Sequence, residues 1–320
     1  MPQKSEETAP WLPSKRAKRF SGVPVGSQVT ECRPNGRELT IRTVGPVARV
    51  LADPFGWLED EVIVDLSATR FSAPDGLVAL TAAISAAVDI GTMLRVRCPR
   101  DAGCNRYLGA AGVIQHWSRL GVSLEGSSGV ETCAPSASST VLPLTTVTSD
   151  NDVRDVKLRV MELIERLLGS GDSEWERRRR AFSSAVHEMS TNVIRHAGKT
   201  GYVLAQKYWN PGESRHFVGF AVGDAGPGIP ATLRTGHEWL RESSDHQVLD
   251  RMLQDGLSRG EGGMGYQVVQ RFTGQHAGRF ALRSGDGSLT LARGQVTPTV
   301  SALGWTWPGT VVSGSVTCPQ

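Results

Sequence analysis

Ala181-Phe-Ser-Ser-Ala-Val-His-Glu-Met-Ser-Thr-Asn-Val-Ile-Arg-His-Ala197 is the stretch on which the reading of this chain turns. Phe182, Val186, Met189 and Val193 recur at steps of four, three and four, so the spacing predicts a helix with one apolar face. Glu188 and Asn192 are four apart and fall on one side of that helix. A carboxylate beside an amide oxygen on a rigid element can hold a divalent cation and position a water.

Two glycine stretches follow. Val222-Gly-Asp-Ala-Gly-Pro-Gly-Ile-Pro230 reads as a strand ending in Asp224 and the alternating glycines Gly226 and Gly228. Gly260-Glu-Gly-Gly-Met-Gly-Tyr266 opens directly into an amphipathic run, Tyr266 to Phe272. A Glu/Asn pair alone is most often a solvated helix face, and a lone Gly-x-Gly is most often a turn. Order and spacing together carry the signal.

That set resembles the GHKL, or Bergerat-fold, ATP-binding family, over roughly residues 150 to 318. The Glu-x-x-x-Asn box matches Glu188 and Asn192, with His196-Ala197 following. The Asp-x-Gly-x-Gly box matches Asp224, Gly226 and Gly228. The second glycine box matches Gly263, Met264 and Gly265, and a terminal Gly-Thr matches Gly309 and Thr310. The second box departs from the family at Glu261, where a glycine is common, and at Tyr266, where Leu is common. The resemblance implies an α/β two-layer sandwich with helices on one face of a mixed sheet. It also implies ATP and Mg²⁺ as ligands, and a lid over residues 229–259. Within the family the resemblance is closest to anti-sigma-factor serine kinases and histidine-kinase-like ATPase domains. A sensor histidine kinase is disfavoured, because no helix pair bearing a phospho-acceptor His precedes the domain.

The roles follow from chemistry as well. Mg²⁺ prefers oxygen ligands and often takes only one or two from protein. Asn192 offers a neutral oxygen to the metal, and Glu188 can take a proton from a water or hydroxyl. Asp224 suits an amino group such as that of adenine. Gly226 and Gly228 let backbone approach the base, and Gly263 and Gly265 can turn N–H groups toward phosphate. Thr310 could support Asp224.

Ahead of this lies a second pattern. Glu61 to Leu66 reads as a buried strand, Leu77 to Ile90 as a helix, and Met93 to Arg97 as a strand. Cys104 to Trp117 reads as a helix broken near Gly109 and Gly112. Alternation of this kind argues for a sheet covered by helices. The run from Val64 to Leu77 resembles STAS domains, the anti-sigma-factor-antagonist fold, in which a loop Ser is phosphorylated. Here the loop is Ala73-Pro74-Asp75-Gly76, without a hydroxyl, and Ser72 is out of register. The expected organisation is a basic tail over 1–22, taken as disordered, a STAS-like α/β domain over 23–130, a linker over 131–150 with a strand near Val141 to Val147, and a GHKL domain over 151–320.

Other classes are set aside by the sequence. A net charge of +3 in 320 residues argues for no specific nucleic-acid partner. No leader and no spanning apolar run is visible, so a cytoplasmic location away from membranes is expected. The five cysteines are scattered and suggest buried thiols. A zincin motif fails because Thr191 stands where the second His would be. No Walker-type loop is present. The functional expectation is an ATPase or serine/threonine-type protein kinase acting on a regulatory protein partner, with a homodimer as an option. A non-catalytic ATP sensor whose lid controls partner binding is the alternative. A chaperone- or MutL-like ATPase is less favoured, since a transducer domain is lacking.

Overall fold

The computed structural model describes residues 29–52, 61–127, 141–168, 173–210, 213–255, 278–292, 295 and 297–318. They form a mixed α/β protein with one parallel and one antiparallel sheet, plus a two-stranded parallel pair. The tail over 1–22, the second glycine box with Gly263, Met264 and Gly265, and the run 266–272 lie outside the described residues.

The first sheet has four parallel strands in the order β1 (Val29–Cys32), β3 (Glu61–Asp65), β5 (Leu94–Arg97), β6 (Ser123–Glu125). The short pair is β2 (Glu38–Leu39) with β4 (Phe71–Ser72). On the inner strand β3, Val62 and Val64 enter the core, whereas Ile63, also buried, stands beside Arg95 on the other face. Arg95 bridges Glu61 and Glu125, and Arg97 bridges Glu31 and Glu125, forming charged rungs across the strands. These pairs are partly exposed and contribute little to stability.

Helix α1 (Gly45–Ala52) and helix α2 (Pro74–Asp89) pack against each other. Pro74 occupies the first turn of α2, where its missing N–H costs nothing. Gly76 sits under strand β2: a Cβ there would stand 2.4 Å from the Leu39 carbonyl oxygen. The break expected between 104 and 117 is real. Helix α3 (Ala102–Ala110) is capped by Asp101, whose carboxylate accepts the Cys104 N–H at 2.8 Å. Gly112, at φ 74°, then starts α4 (Val113–Arg119).

The second sheet runs β10 (Arg279–Leu291), β11 (Thr299–Thr317), β9 (Arg215–Asp224), β8 (Gly201–Asn210), β7 (Val141–Val147). Every described pairing in it is antiparallel, rather than mixed as expected. The segment read as linker supplies β7, its edge strand. One face is covered by α5 (Asp150–Leu168) and α6 (Ser173–Asn192), with Phe182 edge-on to Phe220 at 4.8 Å.

The opposite face is not left open as a two-layer sandwich would leave it. Helix α2 packs across β8, β9 and β11, and one apolar core joins Leu77 and Val78 to Tyr202, Leu204, Ala221 and Val311. Gly223 makes the approach possible, because a Cβ there would stand 2.8 Å from Val78 Cγ1. The alanine-rich composition of α2 fits this double duty. Eleven of its residues are buried, which a helix with a single covered face would not require.

A second expectation is corrected here. Residues 285–287 do not turn a hairpin between Gly278–Ser284 and Ser288–Ala292. Strand β10 runs straight through, paired to β11 on both sides of an irregularity at Ser284, Gly285 and Gly287. The glycines serve a different contact. Cβ atoms on Gly285 and Gly287 would collide with Asp245 and with Leu249 and His246 of helix α8 (Asp245–Asp255). Asp286 accepts the His246 N–H at 2.9 Å and donates its own N–H to Asp245 at 2.9 Å. Gly-Asp-Gly therefore docks a helix start onto the strand.

Among the described residues no helix is long and apolar enough to cross a membrane. Cys32, Cys104 and Cys318 are buried free thiols, Cys98 is also buried, and Cys133 lies outside the described residues. Burial pushes the Cys32 thiol up to about 12, so it stays protonated.

Candidate functional site

Side chains alternate along a strand, so parity sorts β9. Val218, Phe220 and Val222 lie in the core under α5 and α6, whereas Ala221 lies in the core shared with α2. Asp224 shares the parity of Val222 and points to the α6 side. In the same way Thr310 shares the parity of Val312 and Val316 on β11 and is paired directly with Asp224. Two of the expected residues thus meet at one end of the sheet.

Asp224 is 6% exposed. Its Oδ1 accepts the Gly226 N–H at 2.8 Å, and the Thr310 N–H also donates to the carboxylate. Burial nonetheless wins over these bonds and raises the group to about 6. A carboxylate so placed is a fixed acceptor in an environment that rewards one further donor.

The loop after Asp224 is held from two sides. On one side Gly226 abuts Ala197: a Cβ would stand 2.5 Å from its carbonyl oxygen. On the other, Gly228 has φ +83° and touches Ser284 Oγ and the Gly309 carbonyl. Ser284, fully buried, accepts the Ile229 N–H at 2.8 Å. Its Oγ also lies 3.0 Å from the Gly309 carbonyl and 2.9 Å from Thr310 Oγ1. Gly309 has φ +79° and lies against the Asp224 carbonyl. Helix α7 (Gly228–Gly236) starts from this clip.

Glu188 and Asn192 are both half-buried on α6, and Asn192 is its last residue. The next five residues, Val193–Ala197, form a π-helical turn that ends at Gly198 in the left-handed region, φ 60°. Such widened turns gather at functional sites. Here the turn carries the chain from Asn192 to Ala197 and so to Gly226. Gly201 accommodates it, since a Cβ there would stand 2.4 Å from Val193. His187, next to Glu188, is held below its ordinary value by burial and by Lys157 and Arg195, and so is neutral near pH 7.

The segment expected as a lid is ordered by one arginine over part of its length. Arg234 of α7 donates to the Leu240 and Ser243 carbonyls and pairs with Asp245 at 2.6 Å.

Sequence reasoning missed Ser284, the π turn and Arg234. A lone serine in a strand carries no signal, and no residue type marks a π turn. The arginine could have been suspected only from its place six residues after Gly228.

Among the described residues no group of three or more His, Cys, Asp or Glu could hold a metal ion. The Asn192 amide oxygen and Glu188 are what α6 offers, and Mg²⁺ can be held by one or two protein ligands when phosphates supply others. Compared with known proteins, the chain matches no family model, no curated protein and no solved structure.

Proposed function

We propose that the chain is a Mg-ATP-binding regulatory protein of GHKL type. In this reading it is an ATPase or serine/threonine-type protein kinase resembling the anti-sigma-factor serine kinases, working on or through a protein partner. The observation that carries the reading is the seating of Asp224. It is a buried strand-end carboxylate, fixed by Gly226 and Thr310, on a loop pressed against the turn that follows Asn192.

On this reading Asp224 accepts from the adenine amino group, and the glycine loop lets the base approach. Asn192 holds Mg²⁺, which supplies neutralisation of the triphosphate charge. Glu188 takes the proton from the attacking hydroxyl or water. The first sheet with α1 to α4 is then a STAS-like docking unit. Pro74, buried in the first turn of α2, has no hydroxyl, and Ser72 is 2% exposed.

That last feature favours a second reading, in which nucleotide is sensed and not turned over, and the lid changes partner binding. Incubation with γ-labelled ATP and Mg²⁺, alone and with candidate partner proteins, separates the two. Labelled protein or free phosphate supports an enzyme. Saturable binding without either supports a sensor. Absence of binding removes both.

A further inference from the structure

Helix α5 buries Val153, Val156, Val160, Leu163 and Ile164 against the second sheet. Its outer side is not wholly polar. Leu158 is 59% and Met161 49% exposed, the two large apolar side chains exposed among the described residues of this helix. Arg154 and Glu165, also exposed, lie four residues before and four after that pair. At about 100° per residue, Arg154, Leu158, Met161 and Glu165 fall within an arc of about 60°, a single stripe running about 16 Å.

The order along the stripe is basic, apolar, apolar, acidic, with spacings of four, three and four. This pattern is a palindrome about the point between Arg159 and Val160, with the charge reversed at its two ends. A half-turn about that point lays Leu158 on Met161 of the partner subunit and Arg154 on Glu165 of the partner subunit. A parallel pairing would put Arg154 on its own copy and Glu165 on its own copy. Charge therefore selects the antiparallel arrangement, whose layers alternate as in antiparallel helix pairs. Asp155 and Glu162 flank the stripe on one side, and each has an arginine four residues on, Arg159 and Arg166, to offset it. Arg179 of α6 acts on Glu165 but is itself paired with Glu176.

We infer that the outer stripe of α5 is a two-fold interface and that its occupant is α5 of a second copy of this chain. One helix per subunit buries less than the ~1,200–2,000 Å² of stable complexes, so the dimer is weak and concentration-dependent. The inference does not rest on nucleotide binding.

Sedimentation equilibrium of the full chain tests it. A reversible monomer–dimer equilibrium is expected. Leu158→Glu with Met161→Glu should give a monomer whose far-ultraviolet circular dichroism is unchanged, since both side chains are exposed. Arg154→Glu should weaken the dimer by roughly tenfold or more, as loss of a cross-interface charge pair does. Arg154→Glu with Glu165→Arg should restore it, because the two-fold converts each reversed charge into a reversed pair. A monomer at every concentration, a dimer indifferent to the Leu158/Met161 change, or a double charge reversal no better than the single one would each overturn the inference.

Discussion

Gly226 and Ala197 meet backbone to backbone: a Cβ built on Gly226 would stand 2.6 Å from the Ala197 Cα. The loop after Asp224 and the turn after Asn192 are thereby locked at one separation. Gly226→Ala must push them apart, and neither neighbour is a flexible side chain that could give way. We expect a lower melting temperature together with weaker ATP binding, read by calorimetry. Ala at Gly36, which has open space around it but φ +84°, should cost some stability and leave ATP affinity unchanged.

Asp224→Asn should lower ATP affinity by roughly 10- to 100-fold, the worth of about 1.5–3 kcal/mol for a hydrogen bond to a charged group. Isothermal titration reads it directly, and an unchanged affinity would remove Asp224 as base reader.

The same carboxylate makes a pH prediction. Its folded value, about 6, lies above its ordinary 3.8. The folded state therefore takes up the proton first, and this contribution to stability falls as pH rises from about 4 to about 6. Above that window the full penalty of the buried charge is present. Denaturation of wild type against Asp224→Asn across this range should show a steeper slope in the first than in the second, where Asp75, also raised to about 6 by burial, keeps its own share. If the ionised form is the acceptor, ATP affinity should fall as pH drops through about 6 in wild type only.

Ser284→Ala leaves the part-buried Ile229 N–H without its acceptor and releases Gly309 and Thr310. An orphaned buried group costs about 1–3 kcal/mol, and a part-buried one falls at the low end. Urea denaturation should show a loss of that size, whereas Ser301→Ala on the exposed part of β11 should be nearly silent.

Glu188 and Asn192 divide enzyme from sensor. Glu188→Ala should abolish turnover, at roughly 10²–10⁴-fold for general-base assistance, and leave ATP binding nearly intact. Asn192→Ala should weaken both. If neither variant alters binding or turnover, these are two polar residues on the wet side of a core helix.

Much of the architecture was legible where one face of an element is buried. The alternation of Val62 and Val64, and of Leu94 and Val96, reflects one-sided cover, and the continuous run Tyr202 to Ala205 reflects two-sided cover. The break at Gly112 was legible because only a glycine relaxes easily into its positive φ. Gly285-Asp286-Gly287 misled for the opposite reason. Glycine spacing is the same whether a chain reverses or another element approaches, and only Asp245 and His246, forty residues away, distinguish the two. The five-residue widening after Asn192 has no residue signature. Nor could the two-sided burial of α2 name its second partner, since alanines report close approach without saying to what.

Strand β9 has Gly223 against α2 on one face and Asp224 facing α6 on the other, joined by a single peptide bond. A strand cannot tilt on one face alone. The residue that would meet a ligand on the α6 side and the residue that α2 rests upon are chain neighbours. The two halves of this chain thus share one strand, and Gly223 and Asp224 are where the core of the first and the end of the second meet.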